Sequence, residues 1–114
     1  GFLEEALLAY EKVKELDPDN QDIWSDLAWM FEQIGNVTSA MITFQEGIEI
    51  QEKNDKLLYS YGAFLIKYGR KEEALFNLDK ALALNFDGHD MLFEIYPEIK
   101  ENSSVLELID YYKS

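Results

Sequence analysis

Apolar residues recur in this chain at steps of three and four, in blocks broken by short polar stretches. "WSDLAWMFEQIG" sets Trp24, Leu27, Ala28 and Phe31 on one side of a helix, and "LYSYGAFLIKYG" does the same with Leu58, Tyr61, Gly62 and Leu65. The spacing predicts helices at about 21–34, 37–51, 55–68 and 71–84, after a first from about Leu3 to Leu16. A further helix is expected to start near Gly88 or His89 and to end or kink at Pro97. Ser104 and Glu107 stand at capping-box spacing, which predicts a last helix from Val105 to about Lys113 with Leu106, Leu108, Ile109 and Tyr112 on its apolar side. The fold class expected is therefore all-α, with about seven helices.

The blocks repeat. Gly1, Gly35 and Gly69 are 34 residues apart, as are Ala6, Ala40 and Ala74, and Tyr10, Phe44 and Leu78. In the same register Trp24 matches Leu58, Leu27 matches Tyr61, Ala28 matches Gly62 and Phe31 matches Leu65. So many residue classes in one frame mark a structural repeat. Its physics follows from size: antiparallel helices approach closely only at small side chains, so Ala28 is expected to face Ala40, and Gly62 to face Ala74. Gly47 costs a helix roughly 1 kcal/mol against alanine and reads as making room for the following helix, Asn54 to Tyr68.

The pattern resembles the tetratricopeptide repeat, a helix–turn–helix unit of 34 residues. The likeness is carried by Trp24, Leu27, Ala28, Phe31, Gly35, Ala40, Phe44 and Gly47, and then by Leu58, Tyr61, Gly62, Leu65, Gly69, Ala74, Leu78 and Ala81. It implies a right-handed solenoid of helical hairpins in one domain spanning residues 1–114. Residues 1–20 would be the second half of a unit, 21–54 and 55–88 whole units, and 89–114 a degenerate unit covering the end. The first helix would then lack a partner, leaving part of Phe2, Leu3, Leu7 and Tyr10 uncovered. Either the chain continues upstream or that face meets another chain, and self-association through it is expected.

Composition narrows the chemistry. A formal charge of −13 would repel nucleic acid and anionic membrane surfaces alike. With no cysteine, thiol catalysis and thiolate metal sites are out, and no apolar run is long enough for direct membrane insertion. The acidic stretch "ELDPDNQDIW" tempts a calcium reading, but an EF-hand beginning at Asp17 would want glycine at Asp22 and glutamate at Ala28. One and two repeats on, its acids do not recur while the turn does. It reads as a helix–helix turn, with Pro18 stopping one helix and Asn20 and Asn54 suited to cap the next. His89, the single histidine, is expected to be an exposed cap residue. Glu4, Glu5, Glu72, Glu73 and Asp79 read as solvated helix faces beside lysines. No catalytic group, cofactor or metal site is expected, and the compartment stays open.

The resemblance also implies where a partner would lie, because in such proteins the first helix of each unit lines a concave groove. Carried onto this sequence, the groove would include Ser25, Trp29, Lys56, Tyr59, Ala63, Lys67 and Phe93. The partner would be a protein or peptide segment held by Trp29 and Tyr59, with Lys56 and Lys67 selecting an acidic group. Trp29 has an alternative, packing sideways on the neighbouring unit's first helix. The lysine–asparagine clamp by which some relatives grip a terminal carboxylate has no counterpart in Ser25/Trp29, Tyr59/Ala63 or Phe93/Pro97. A structural alternative keeps the chain as an oligomerisation segment or spacer that makes contact through its ends.

Overall fold

A computed structural model describes residues 2–114, and every regular element among them is helical. The order is α1 (Phe2–Leu16), α2 (Ile23–Gln33), α3 (Val37–Ile50), α4 (Asp55–Lys67), α5 (Lys71–Leu84), α6 (Met91–Ile95) and α7 (Ser103–Lys113). Short 3-10 turns at Phe86–Asp90 and Pro97–Glu101 flank α6. The chain forms two compact units, one of residues up to Glu52 and one of Lys53–Ser114.

In the first unit α2 packs against both α1 and α3. Ile23, Trp24, Leu27 and Ala28 are buried on α2, and Ala40, Thr43, Phe44 and Gly47 on α3. The chain reverses between α2 and α3 at Gly35, whose φ of 87° lies in the left-handed region that glycine reaches without strain. There Gly35 N–H donates to the Glu32 carbonyl and Asn36 N–H to the Phe31 carbonyl, the bond pair of a Schellman stop. Asn36 then caps α3 at once, its Oδ1 accepting from Ser39 N–H at 3.1 Å. Gly47, expected to make room for the following helix, has its nearest neighbour inside its own hairpin. A Cβ there would come within 2.7 Å of Cβ and Cγ of Trp24, so the glycine seats the indole of its own hairpin.

In the second unit α5 packs against α4 and α7, while α6 lies on α4. Nine consecutive residues of α4, Leu57 to Leu65, are buried, as a helix packed on more than one side requires. The stop recurs at Gly69 (φ 76°), with Arg70 N–H donating to the Leu65 carbonyl. Gly62 is buried as expected, but its tight neighbour is Leu78, one turn beyond Ala74: a Cβ on Gly62 would meet Leu78 Cγ at 2.6 Å. Pro97 ends α6 as expected and opens a 3-10 turn. The last helix starts earlier than the capping-box reading placed it. Asn102 is the cap, accepting from Val105 N–H at 3.1 Å, and Ser104 lies inside the first turn.

The two hairpins carry matching internal bonds. Thr43 donates its hydroxyl to the Ser39 carbonyl at 2.8 Å, and Asn77, 34 residues on, donates Nδ2 to the Glu73 carbonyl at 2.9 Å. Both are buried polar side chains on second helices, satisfied by the carbonyl one turn back. The repeat therefore extends to the hydrogen bonding of its core.

Candidate functional site

The acidic stretch is a strapped turn. The Pro18 carbonyl accepts from Trp24 Nε1 at 2.9 Å and from Gln51 Nε2 at 2.8 Å, and Gln51 also reaches the Asn20 carbonyl at 3.1 Å. Asn20 takes a different part from the one expected: its Oδ1 accepts from Asp22 N–H, closing a turn ahead of α2, which starts at Ile23 without a side-chain cap. Two side-chain donors thus occupy the carbonyl that stands at the centre of the loop. Among the described residues, no three histidine, aspartate or glutamate side chains gather to hold a metal ion. None of the helices described is long and apolar enough to cross a membrane.

The expected groove residues divide into accessible and buried ones. On α2, Ser25 and Trp29 are half-buried. The Trp29 ring meets Phe44 of α3 edge-on, with centroids 5.8 Å apart, so it rests on the second helix of its own hairpin. On α4, Lys56 and Lys67 are exposed, and Lys67 Nζ lies 5.8 Å from the centre of the Tyr68 ring. Phe93 on α6 is half-buried, with Lys100 Nζ 5.7 Å from its ring.

Tyr59 and Ala63 correct the expectation, since both are fully buried. Tyr59 donates its hydroxyl to the Asn85 carbonyl at 2.6 Å, and Asn85 Nδ2 in turn donates to Asp55 Oδ2 at 2.9 Å. This chain of bonds ties the start of α4 to the end of α5. Loss of water around the phenol, then the charges of Asp55 and Asp87, push its ionisation well above the ordinary tyrosine range. Gly88 lies close against this arrangement: a Cβ there would stand 3.1 Å from Asn85 Nδ2 and 3.2 Å from the Tyr59 ring, so either would have to give slightly. Tyr59 is a structural clasp. Nothing in the 34-residue register signals it, because the matching residue of the first hairpin is Ser25.

His89 is likewise not an exposed cap. Its ring lies 4.7 Å from that of Phe86 and edge-on to Phe93, and Nδ1 is 2.7 Å from the Phe86 carbonyl, a geometry in which Nδ1 donates. Asp79, read as a solvated carboxylate, accepts the Tyr112 hydroxyl at 2.5 Å. Asp26, in the first turn of α2, has its carboxyl held above the usual carboxylate range, first by lost hydration and then by Asp22. Of the expected residues, Ser25 and Trp29 on α2, Lys56 and Lys67 on α4 and Phe93 on α6 keep accessible surface.

Residues 21–54 match the family model described as "Tetratricopeptide repeat". The chain is also similar to a curated relative, "TPR repeat-containing protein YpiA" of Bacillus subtilis (strain 168), at 27% identity over 117 residues. That alignment covers 100% of this chain and 28% of the relative, so the chain spans just over a quarter of that protein's length.

Proposed function

We propose that this chain, a tetratricopeptide-repeat protein, is a non-enzymatic scaffold that holds a protein segment against the first helices of its hairpins. The observation that carries the reading is Trp29. It is half-buried on α2 and braced edge-on by Phe44, so an accessible aromatic surface is held in place before any partner arrives. A rigid, partly exposed indole is the kind of residue on which binding energy concentrates. Ser25, one turn earlier on α2, is likewise half-buried. On α4 the exposed Lys56 and Lys67 would favour an acidic or carboxylate group, and on α6 Phe93 offers a second aromatic contact. Tyr59 and Ala63 take no direct part.

The test is capture of binding proteins from native extract by the full chain, by Trp29→Ala, and by a Lys56→Glu, Lys67→Glu variant. Loss of the same partner in both variants, with helicity retained by circular dichroism, is expected. A partner retained by both would overturn the reading.

The structural alternative is favoured by α1, where Phe2, Leu8 and Leu16 are 84%, 68% and 76% exposed while Leu3, Leu7 and Tyr10 are half-buried. In that reading contact is made through α1. The same experiment separates the two, because Leu8→Asp with Leu16→Asp would then abolish association, measured by light scattering, while Trp29→Ala leaves it unchanged.

A further inference from the structure

We propose that a cleft formed by α1, α2 and α3 receives an arginine side chain from a protein partner, at residues distinct from those of the first-helix surface described above. The cleft has a volume of about 210 Å³ and is lined by Glu11, Lys14, Phe31, Ser39, Ile42, Thr43 and Glu46. Its size excludes a drug-sized ligand, since such pockets run from about 300 Å³ upward. One long side chain suits it. Phe31 is half-buried, and Ile42 is an exposed large apolar residue on α3, so the lining offers aromatic and aliphatic surface for the stem of an incoming residue.

Charge decides which residue that is. Up to Glu52 the chain has twelve carboxylates against two lysines, a formal −10 of the total −13, whereas Lys53–Ser114 has eleven against eight, or −3. Within the cleft Lys14 is already engaged, its Nζ lying 5.6 Å from the centre of the Trp24 ring. The Thr43 hydroxyl is committed to the Ser39 carbonyl. Among the described residues neither Glu11 nor Glu46 forms an ion pair. Two uncompensated carboxylates beside an aromatic ring complement a guanidinium, which forms charge-assisted bonds in its plane and stacks by its face. An ammonium would meet both carboxylate and ring only as a point charge, without the planar fork or the stacked face.

The probe is N-acetyl-leucyl-arginine amide, titrated into the full 114-residue chain and followed by amide chemical shifts, with the citrulline peptide as its uncharged counterpart. Shifts are expected at Ile42, Thr43 and Glu46. The double variant Glu11→Gln, Glu46→Gln should bind about tenfold more weakly, the loss expected for charge-assisted contacts. Glu5→Gln with Asp19→Asn, which removes the same charge from the same unit outside the cleft, should change affinity by about twofold at most, because exposed charges at a distance are screened. Equal losses in the two double variants would reduce the effect to general acidity and overturn the site. So would citrulline binding as tightly as arginine, or shifts confined to residues outside the cleft.

Discussion

At the scale of single residues the two hairpins solve one packing problem in two ways. Trp24 opposes Gly47, and the same positions one repeat on are Leu58 and Ala81, all of them buried. A larger residue on the first helix goes with a smaller one on the second. Gly47→Ala would gain about 1 kcal/mol of helix propensity, but its Cβ would meet the base of the indole at 2.7 Å, where no flexible end can yield. Overpacking of that kind costs about 1–3 kcal/mol, so net destabilisation is expected. Trp24→Leu alone should be worse, losing indole packing and the bond to Pro18. The double variant restores the Leu–Ala pair of the second hairpin. Its loss should be smaller than the sum of the single losses by about 1 kcal/mol or more, a coupling measurable in a denaturant double-mutant cycle. Simple additivity would mean that the two residues are not opposed.

At the scale of elements, the helices and their stops were legible in the sequence because period, glycine and proline act locally. The hairpin turns at Gly35 and Gly69 and the end of α6 at Pro97 fall where these signals put them. The caps were legible only in part. Asn54 caps α4 as expected, accepting from Leu57 N–H at 3.1 Å, whereas Asn20 sits too early and Asn102 supersedes Ser104. The site was least legible, because burial of a first-helix residue depends on what packs over it. Tyr59 and Ala63 share the helix face of Lys56 and Lys67, yet only the lysines reach solvent. The capping pattern also exposes a missing interaction. Asn36 caps α3 with φ −99° and ψ 75°, and Arg70, its equivalent before α5, has φ −102° and ψ 65° but no side-chain cap bond. Arg70→Asn should install that bond, worth about 1 kcal/mol. It would lose the Arg70–Glu73 ion pair, formed at 2.9 Å between side chains about half exposed, and such pairs contribute about 0–1 kcal/mol. A rise in denaturation midpoint is therefore expected, with Arg70→Ala, which loses the ion pair and gains no cap, falling below wild type.

At the scale of the whole molecule the uneven charge matters more than its total. The formal −13 looks like an ordinary acidic surface until the compact units are known, and then −10 of it falls on the residues up to Glu52. Crowded like charges oppose the compact state through self-repulsion, and salt weakens that repulsion as the screening length drops to about 8 Å near 0.15 M. Raising salt at neutral pH should therefore raise the thermal midpoint. Neutralising carboxylates up to Glu52 should diminish the salt response more than neutralising as many in Lys53–Ser114. Asp26 separates this long-range effect from a local one, because lost hydration is the first cause of its raised ionisation, and salt does not restore hydration. The sign follows from linkage: with a folded-state pKa above its unfolded value, the folded chain holds this proton more tightly. Stability from Asp26 is then gained as pH falls through the raised value and lost as pH rises through it. Asp26→Asn should accordingly be more stable than wild type at neutral pH, with the difference shrinking as the medium is acidified and part of it surviving in high salt. A difference independent of pH would assign the stabilisation to the amide's own contacts, and one abolished by salt would assign it to the charge of Asp22 alone.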